Sequence, residues 1–333
     1  MNVSVIGGGA WGTTLAQALA DNGHKVLIRD INPNFVDKIN NTHLHPFFDV
    51  EIPSSISATL DLKKAVDHSE VLVLCVPTKA MRSVLTEISN IVSGKKIFIN
   101  VSKGIEPKTS KRVSEIVDEV IKKDNLLGYV ALSGPSHAEE MILRKITTLV
   151  AASKDTNLAQ EVQEIFSNEK YLRVYTSSDV IGVECGGALK NAIAIVSGIS
   201  SGLGLGENAR AMLITRGIKE IVAIVVALGG EMETAYGLSG IGDLIVTASS
   251  MNSRNFQCGL KIGQGMSIEE ALGSSVQTVE GIRAIEAGHE LAVKNHLELP
   301  IIDTAYDLVM GKLTVKEALH KLMGRSLKNE KYW

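Results

Sequence analysis

Residues 3–30 read VSVIGGGAWGTTLAQALADNGHKVLIRD. Val3–Ile6 is a short strand, and Gly7-Gly8-Gly9-Ala10-Trp11-Gly12 supplies G-x-G-x-x-G directly after it. Thr13–Asn22 continues at helical spacing with Leu15, Ala18 and Leu19 on the packing face. Gly23 stops that helix, and Lys25–Arg29 gives a second strand ending at Asp30. The motif glycines Gly7, Gly9 and Gly12 allow a tight turn and a close approach to a pyrophosphate, which would rest on the helix N-terminus. G-x-G-x-x-G alone is a weak signal. Strand, motif, helix, strand and acid within one thirty-residue unit point to a dinucleotide. Asp30 is placed to accept hydrogen bonds from an adenosine ribose, which favours NAD. Arg29 beside it would suit a 2′-phosphate, so NADP stays admissible.

Further along, the same alternation continues. Pro33–Asn41 reads as a helix and His43–Ser57 as an irregular loop. His43, His45 and Asp49 complete no metal-ligand set, so the loop is expected to carry surface histidines and no metal is called for. Helices over Asp61–His68, Lys79–Asn90, Ser110–Lys122 and Asn157–Phe166 alternate with strands. The strands are Val71–Val76, Lys96–Asn100, Tyr129–Leu132, Thr147–Ala151 and Leu172–Tyr175, and VLVLCV at 71–76 has the continuous apolar character of a parallel sheet buried on both faces. Ser102-Lys103-Gly104 follows a strand directly, so Lys103 lies on the rim that also carries the glycine motif, where it would meet a phosphate or substrate oxygen. Ser136-x-x-Glu139 fits a capping box, while the helix start there also offers main-chain N–H groups to an anion.

From Ser177 onward the pattern is helix after helix: Val180–Ser201, Ala209–Leu228, Asp243–Ala248, Phe256–Gly263, Ile268–Leu272, Gly281–Lys294, Ile301–Met310 and Val315–Met323. The expected organisation is an α/β Rossmann dinucleotide-binding domain over residues 1–177 and an all-helical substrate domain over 178–333. Within Val180–Gly206 a pair of charges, Glu184 and Lys190, interrupts small and apolar residues. A lysine among such neighbours loses hydration, which favours its neutral form and suits it to proton transfer; the plainer alternative is a lysine that snorkels to the surface. Asp243, in the glycine-dense Gly237–Leu244 loop, reads as a helix N-cap. Asn252-Ser253-Arg254-Asn255 places a guanidinium fork among hydroxyl and amide groups, a set that suits a phosphate; otherwise it is a polar loop.

The chain has 333 residues, 45% of them hydrophobic and 21% charged, so it can bury a substantial core. With 34 basic and 37 acidic side chains the net charge is −3, which leaves no footprint for nucleic acid. Mean hydropathy is +0.15, and the longest apolar run, Ile221–Leu228, is too short to cross a bilayer, so no membrane insertion is expected. The start MNVSVIGGG leaves no room for a signal peptide, and Cys75, Cys185 and Cys258 form no CxxC pair. Both features point to the cytoplasm. The basic tail GRSLKNEKYW reads as a solvated end.

Taken together, the chain resembles the NAD(P)-dependent glycerol-3-phosphate dehydrogenases of the bacterial type. The resemblance rests on GGGAWGT at 7–13, VSKG at 101–104, SGPSHA at 133–138, GVECGGALKNAIAI at 182–195, NARAMLITRG at 208–217, GLSGIGDL at 237–244, NSRNFQCG at 252–259 and VEG at 279–281. It implies interconversion of sn-glycerol 3-phosphate and dihydroxyacetone phosphate, feeding glycerophospholipid synthesis. It also implies Lys190 as general acid/base, and substrate contacts from Lys103, Gly134, Ser136, Asp243, Ser253, Arg254 and Asn255. Cofactor contacts would come from Ala10, Trp11, Lys103, Ala138, Arg254 and Glu280, beside the motif glycines and Asp30. The family often carries an arginine where this chain has Ile31, so the usual 2′-phosphate contact is missing and NAD is expected to be accepted at least as well as NADP. The expected partners are a small phosphorylated substrate and, as a homodimer, a second copy of the chain. The alternatives are another two-domain dehydrogenase of the hydroxy-acid type, against which the Asn252–Asn255 loop argues for a small phosphorylated substrate, and a non-catalytic dinucleotide sensor, which would have no need for Lys190, Lys103 and Arg254 together.

Overall fold

A computed structural model describes residues 1–274 and 279–330. Eight strands form a single sheet: Asn2–Ile6 (β1), Lys25–Arg29 (β2), Ile56–Thr59 (β3), Val71–Leu74 (β4), Lys96–Asn100 (β5), Leu126–Ser133 (β6), Thr147–Ala152 (β7) and Leu172–Ser177 (β8). Their order is β3-β2-β1-β4-β5-β6-β7-β8, parallel throughout except for the antiparallel β6–β7 pair. The strand order reverses between β1 and β4, which opens a crevice at their carboxyl ends. In β4, Val71 and Val73 enter one apolar core and Leu72 and Leu74 the opposite one, which is why this strand is apolar at every position.

The helices of this half are Ala10–Asp21 (α1), Pro33–Asp37 (α2), Leu62–His68 (α3), Thr78–Ile91 (α4), Val113–Val120 (α5), Ala138–Met141 (α6) and Thr156–Phe166 (α7). Two features depart from the sequence reading. β3 begins in what reads as irregular loop and was not expected; it is four residues long and pairs only with β2, at the sheet edge. His45 is not a surface residue but fully buried. Its Nδ1 accepts from the N–H groups of Phe47 and Phe48 at 3.1 and 3.2 Å, its ring stacks on Phe48, and Nε2 donates to Ala10 O at 3.1 Å. Burial pushes its pKa down to about 4, so a neutral imidazole pins the loop to the first turn of α1.

The other edge strand, β8, is covered over its first half. Val174 donates to Ser167 Oγ at 3.1 Å and its carbonyl accepts from Gln163 Nε2 at 2.7 Å, while Leu172 O accepts from the N–H of Asn168. The outward main-chain groups of Val174 and the carbonyl of Leu172 are thereby occupied and cannot template another strand.

The second half comprises Val180–Gly202 (α8), Gly206–Ala227 (α9), Met232–Ala235 (α10), Asp243–Ser249 (α11), Arg254–Gly263 (α12), Ile268–Gly273 (α13), Gly281–Lys294 (α14), Pro300–Val309 (α15) and Val315–Met323 (α16). Among the described residues α8 is the one helix long and apolar enough to cross a membrane, yet 89% of that stretch is buried inside the protein, as its central helix. Against it lies α12 in direct main-chain contact. A Cβ on Gly198 or Gly202 of α8 would overlap Phe256 O or Leu260 O, and one on Gly259 or Gly263 of α12 would overlap Ile195 O or Ile199 O. The described part of the tail, residues 324–330, is exposed as expected; Lys331–Trp333 lie outside the described residues.

Candidate active site

A cavity of about 610 Å³ opens at the carboxyl ends of the parallel strands and is walled by both halves of the chain. On the sheet side the chain turns at Gly7, whose φ of +115° suits glycine. Gly12 packs directly on Gly7 O, with no room for a side chain. A Cβ at Gly9 would meet nothing within 4 Å. No side chain caps α1 there, so its first-turn N–H groups are left for an anion, with Ala10 and Trp11 lining the cavity. These features fit a bound pyrophosphate.

Asp30 is no solvated strand end. It is 9% exposed, and its carboxylate accepts from Gly8 N at 2.6 Å and Asn32 N at 2.8 Å while facing the cavity. Arg29 also lines the cavity, with a buried Nε that has no hydrogen-bond partner, whereas Ile31 is 77% exposed.

Across the crevice, Lys190 Nζ lies 2.7 Å from Asp243 Oδ1 and 2.5 Å from Thr247 Oγ1. Lys103 Nζ reaches the other carboxylate oxygen, Asp243 Oδ2, at 2.7 Å, and also bonds Gly134 O at 2.9 Å and Ser136 Oγ at 3.2 Å. One carboxylate thus bridges two lysines from opposite halves of the protein. The Lys190 side chain is only 6% exposed, which rules out snorkelling. Burial, with help from Lys103, pushes its pKa down to about 8 against the pull of Asp243. For Asp243, burial works upward, but the two ammonium groups and their hydrogen bonds hold its carboxyl below the usual range.

Several local expectations are corrected here. The other charge of that stretch, Glu184, turns away from Lys190, and its carboxylate bonds Arg112, Ser114 and Tyr129. Asp243 does not cap a helix: α11 begins at Asp243 itself, and its carboxylate is committed to the lysines. Ser136 and Glu139 form no capping box. α6 starts at Ala138 after His137, Ser136 Oγ donates to Gly134 O, and Glu139 Oε1 pairs with Arg254 Nη2 at 2.6 Å across the cavity. The Asn252–Asn255 stretch is a helix start rather than a plain loop, with Ser253 Oγ accepting from Phe256 N to cap α12 at Arg254. Asn255 bonds Asn191 Oδ1 through Nδ2 and Gly281 N through Oδ1.

Gly134 has φ +145° and presents its carbonyl to Lys103. Ala138, Ser253, Arg254, Asn255 and Glu280 all line the cavity. Burial raises the Glu280 carboxyl above its usual range, with Arg283 opposing. Thr247 escaped the sequence reading, although Asp243-x-x-x-Thr247 puts both on one helical face. His137, donating through Nε2 to Val246 O at 3.2 Å, was also missed.

The description of the N-terminus of NAD-dependent glycerol-3-phosphate dehydrogenase matches residues 2–159, and that of its C-terminus matches 179–320. A glycerol-3-phosphate dehydrogenase [NAD(P)+] of Acholeplasma laidlawii is 59% identical over 330 residues, covering 99% of each chain. One from Phytoplasma australiense is 47% identical over 330 residues, covering 99% of this chain and 100% of the relative. The crystal structure of glycerol-3-phosphate dehydrogenase from Coxiella burnetii superposes with a TM-score of 0.92 at 32% identity, covering 97% of this chain and 99% of that one.

Proposed function

Because this chain belongs to the family of NAD-dependent glycerol-3-phosphate dehydrogenases, we propose that its reaction runs at the Lys190–Asp243–Lys103 centre. The reaction is the NAD(P)-dependent interconversion of sn-glycerol 3-phosphate and dihydroxyacetone phosphate. The dinucleotide, when bound, supplies or takes up the hydride. Lys190 exchanges the proton with the substrate oxygen, as an ammonium in reduction and as an amine in oxidation. Asp243 and Lys103 hold and tune that amine, and Thr247 fixes its direction. The observation that carries this reading is the carboxylate bridging two buried or half-buried lysines at the cavity wall.

Arg254, Ser253 and Asn255, together at the N-terminus of α12, anchor the substrate phosphate and so orient the carbonyl. Gly134 and Ser136, both bonded to Lys103, complete the substrate wall. Gly7, Gly9, Ala10, Trp11 and Gly12 take the pyrophosphate, Asp30 the adenosine ribose, and Lys103, Ala138, Arg254 and Glu280 the remaining cofactor contacts. NAD is accepted at least as well as NADP. In support, Asp30 is locked by two main-chain N–H groups and cannot turn from a 2′-phosphate, and Ile31 offers no cation; Arg29 works in the opposite direction. The test is absorbance at the nicotinamide band with dihydroxyacetone phosphate and either reduced dinucleotide. No turnover would overturn the assignment.

We place the division between dinucleotide-binding and substrate domains at 177/178, where β8 ends and α8 is about to begin. Supply of glycerophospholipid synthesis in the cytoplasm is proposed with it, supported by three free cysteines. A homodimer is the proposed assembly; exposed Met212 and Val226 on α9 leave apolar surface to cover.

A further inference from the structure

Glu184 lies six residues ahead of Lys190 on α8 and is buried. Its carboxylate takes four hydrogen bonds, all from the α/β half. Oε1 accepts from Ser114 N at 2.9 Å and from the Tyr129 hydroxyl at 2.6 Å. Oε2 accepts from Ser114 Oγ at 2.5 Å and Arg112 Nη1 at 3.2 Å. Burial pushes this carboxyl up, and those donors oppose the shift. A contact needed only for packing is served as well or better by apolar side chains of similar volume. A buried carboxylate with every oxygen engaged supplies direction instead.

Between Glu184 and Lys190, α8 presents two glycines. A Cβ at Gly187 would stand 2.8 Å from Ser133 Oγ and 3.8 Å from Lys103 Cγ, and one at Gly186 would stand 3.0 Å from Ser239 O. The same short stretch of helix therefore rests on the stem of Lys103 and on the chain leading into Asp243. The contacts at Gly186 and Gly187 are close but non-directional, so by themselves they do not register α8 against the α/β half. Among the described residues, the directional ties from the body of α8 to the α/β half are the four on Glu184 and one from Asn191 Nδ2 to Lys103 O at 3.2 Å.

We propose that Glu184 is a positioning residue: its clasp on Arg112, Ser114 and Tyr129 sets the rotation and axial position of α8, and thereby the spacing of Lys190, Asp243 and Lys103. It touches neither substrate nor cofactor and acts through Lys190, so the proposal rests on the proton-transfer role given to that lysine.

The test compares Glu184→Gln and Tyr129→Phe with the parent and with Lys190→Ala, measuring kcat, its pH profile, NADH affinity by fluorescence and melting temperature. Gln keeps the shape of Glu but turns an N–H₂ toward donors. We expect NADH affinity within about twofold and kcat lower by about tenfold to a hundredfold, the scale of a small misplacement of reacting groups. The kcat limb near pH 8 should move to lower pH, since Lys190 loses part of the Asp243 contact that raises its pKa. Tyr129→Phe should shift both in the same direction by less, and it decides the matter should Glu184→Gln fail to fold. A lower melting temperature with parental kcat and an unmoved limb would make the clasp merely structural and overturn the proposal. If Lys190→Ala itself keeps turnover, the role of Lys190 falls and the clasp with it; if Lys190→Ala is inactive but the clasp variants are parental, the clasp alone falls.

Discussion

Lys190 Nζ and Asp243 Oδ1 stand 2.7 Å apart with both side chains almost wholly out of water, 6% and 1% exposed. Removing hydration and supplying an anion push the amine in opposite directions, and the balance leaves it titrating at about 8. At neutral pH it is mainly an ammonium, with an accessible amine form, so in its proposed role one side chain would serve both directions of the reaction.

The pH dependence follows with opposite signs. Reduction needs the ammonium and should lose kcat as pH rises through about 8; oxidation needs the amine and should gain kcat over the same range. Profiles measured in both directions that run parallel there would remove Lys190 from proton transfer. Lys190→Ala should lower kcat by about 10²–10⁴ while NADH affinity barely changes.

At Arg254 a charge-assisted contact is worth roughly 1.5–3 kcal/mol net. Arg254→Lys keeps the charge but loses the planar fork, so kcat/KM should fall clearly, and Arg254→Ala should fall further. The Ala variant should lose much less with unphosphorylated dihydroxyacetone, which makes no phosphate contact. Equal fractional losses on the two substrates would place the phosphate elsewhere.

For cofactor choice, Asp30→Ala should weaken NADH binding more than NADPH binding, because it removes a ribose acceptor and a fixed negative charge. It also strands the N–H of Gly8, now paired at 2.6 Å, so both affinities should drop somewhat and the ratio is the readout. Titration calorimetry with an unchanged ratio would mean that Asp30 serves the turn alone.

Glu220, on α9, accepts from the N–H groups of Ile301 and Ile302 at the start of α15, and burial raises its pKa to about 7 from 4.5. A carboxyl raised on folding stabilises below its unfolded pKa and loses that contribution as pH climbs through its folded one. At about 1.4 kcal/mol per unit the loss is about 3 kcal/mol, spread between roughly pH 4.5 and 7. Denaturant titrations of Glu220→Gln should lack this component of the pH dependence, although the variant starts less stable for want of an acceptor. An identical slope in both proteins would show that Glu220 is not the group responsible.

The β1–α1–β2 unit was legible because its glycines, its apolar face and its closing acid are all local. β4 was legible because a strand buried on both faces has no polar position. β3 was not, since ISAT at a sheet edge carries only a few apolar residues. No local pattern joins Lys190 to Asp243, which is 53 residues away and presented by another helix; only the family resemblance put the two together. Its local pattern alone leaves Asp243 open, because an aspartate at a helix start looks the same whether it caps or bridges. His45 was misplaced because nothing local announces that Ala10 O and two amides are waiting for its ring.

The crossing of α8 and α12 is made of main chain, and that limits how this region can vary. In an ordinary core an enlarged side chain is absorbed by a neighbour changing rotamer or shrinking, so many combinations of residues solve the same volume. Where a methyl would strike a carbonyl oxygen there is nothing to shrink. Gly198, Gly202, Gly259 and Gly263 each face backbone in this way, so no second-site change on the opposite helix can restore the fit. A combinatorial library at these four positions should return glycine alone, with no correlated pairs, while apolar positions a turn away trade freely. Since α12 begins at Arg254 and α8 carries Lys190, what that rigidity protects is the distance between the proposed phosphate anchor and the proposed proton donor.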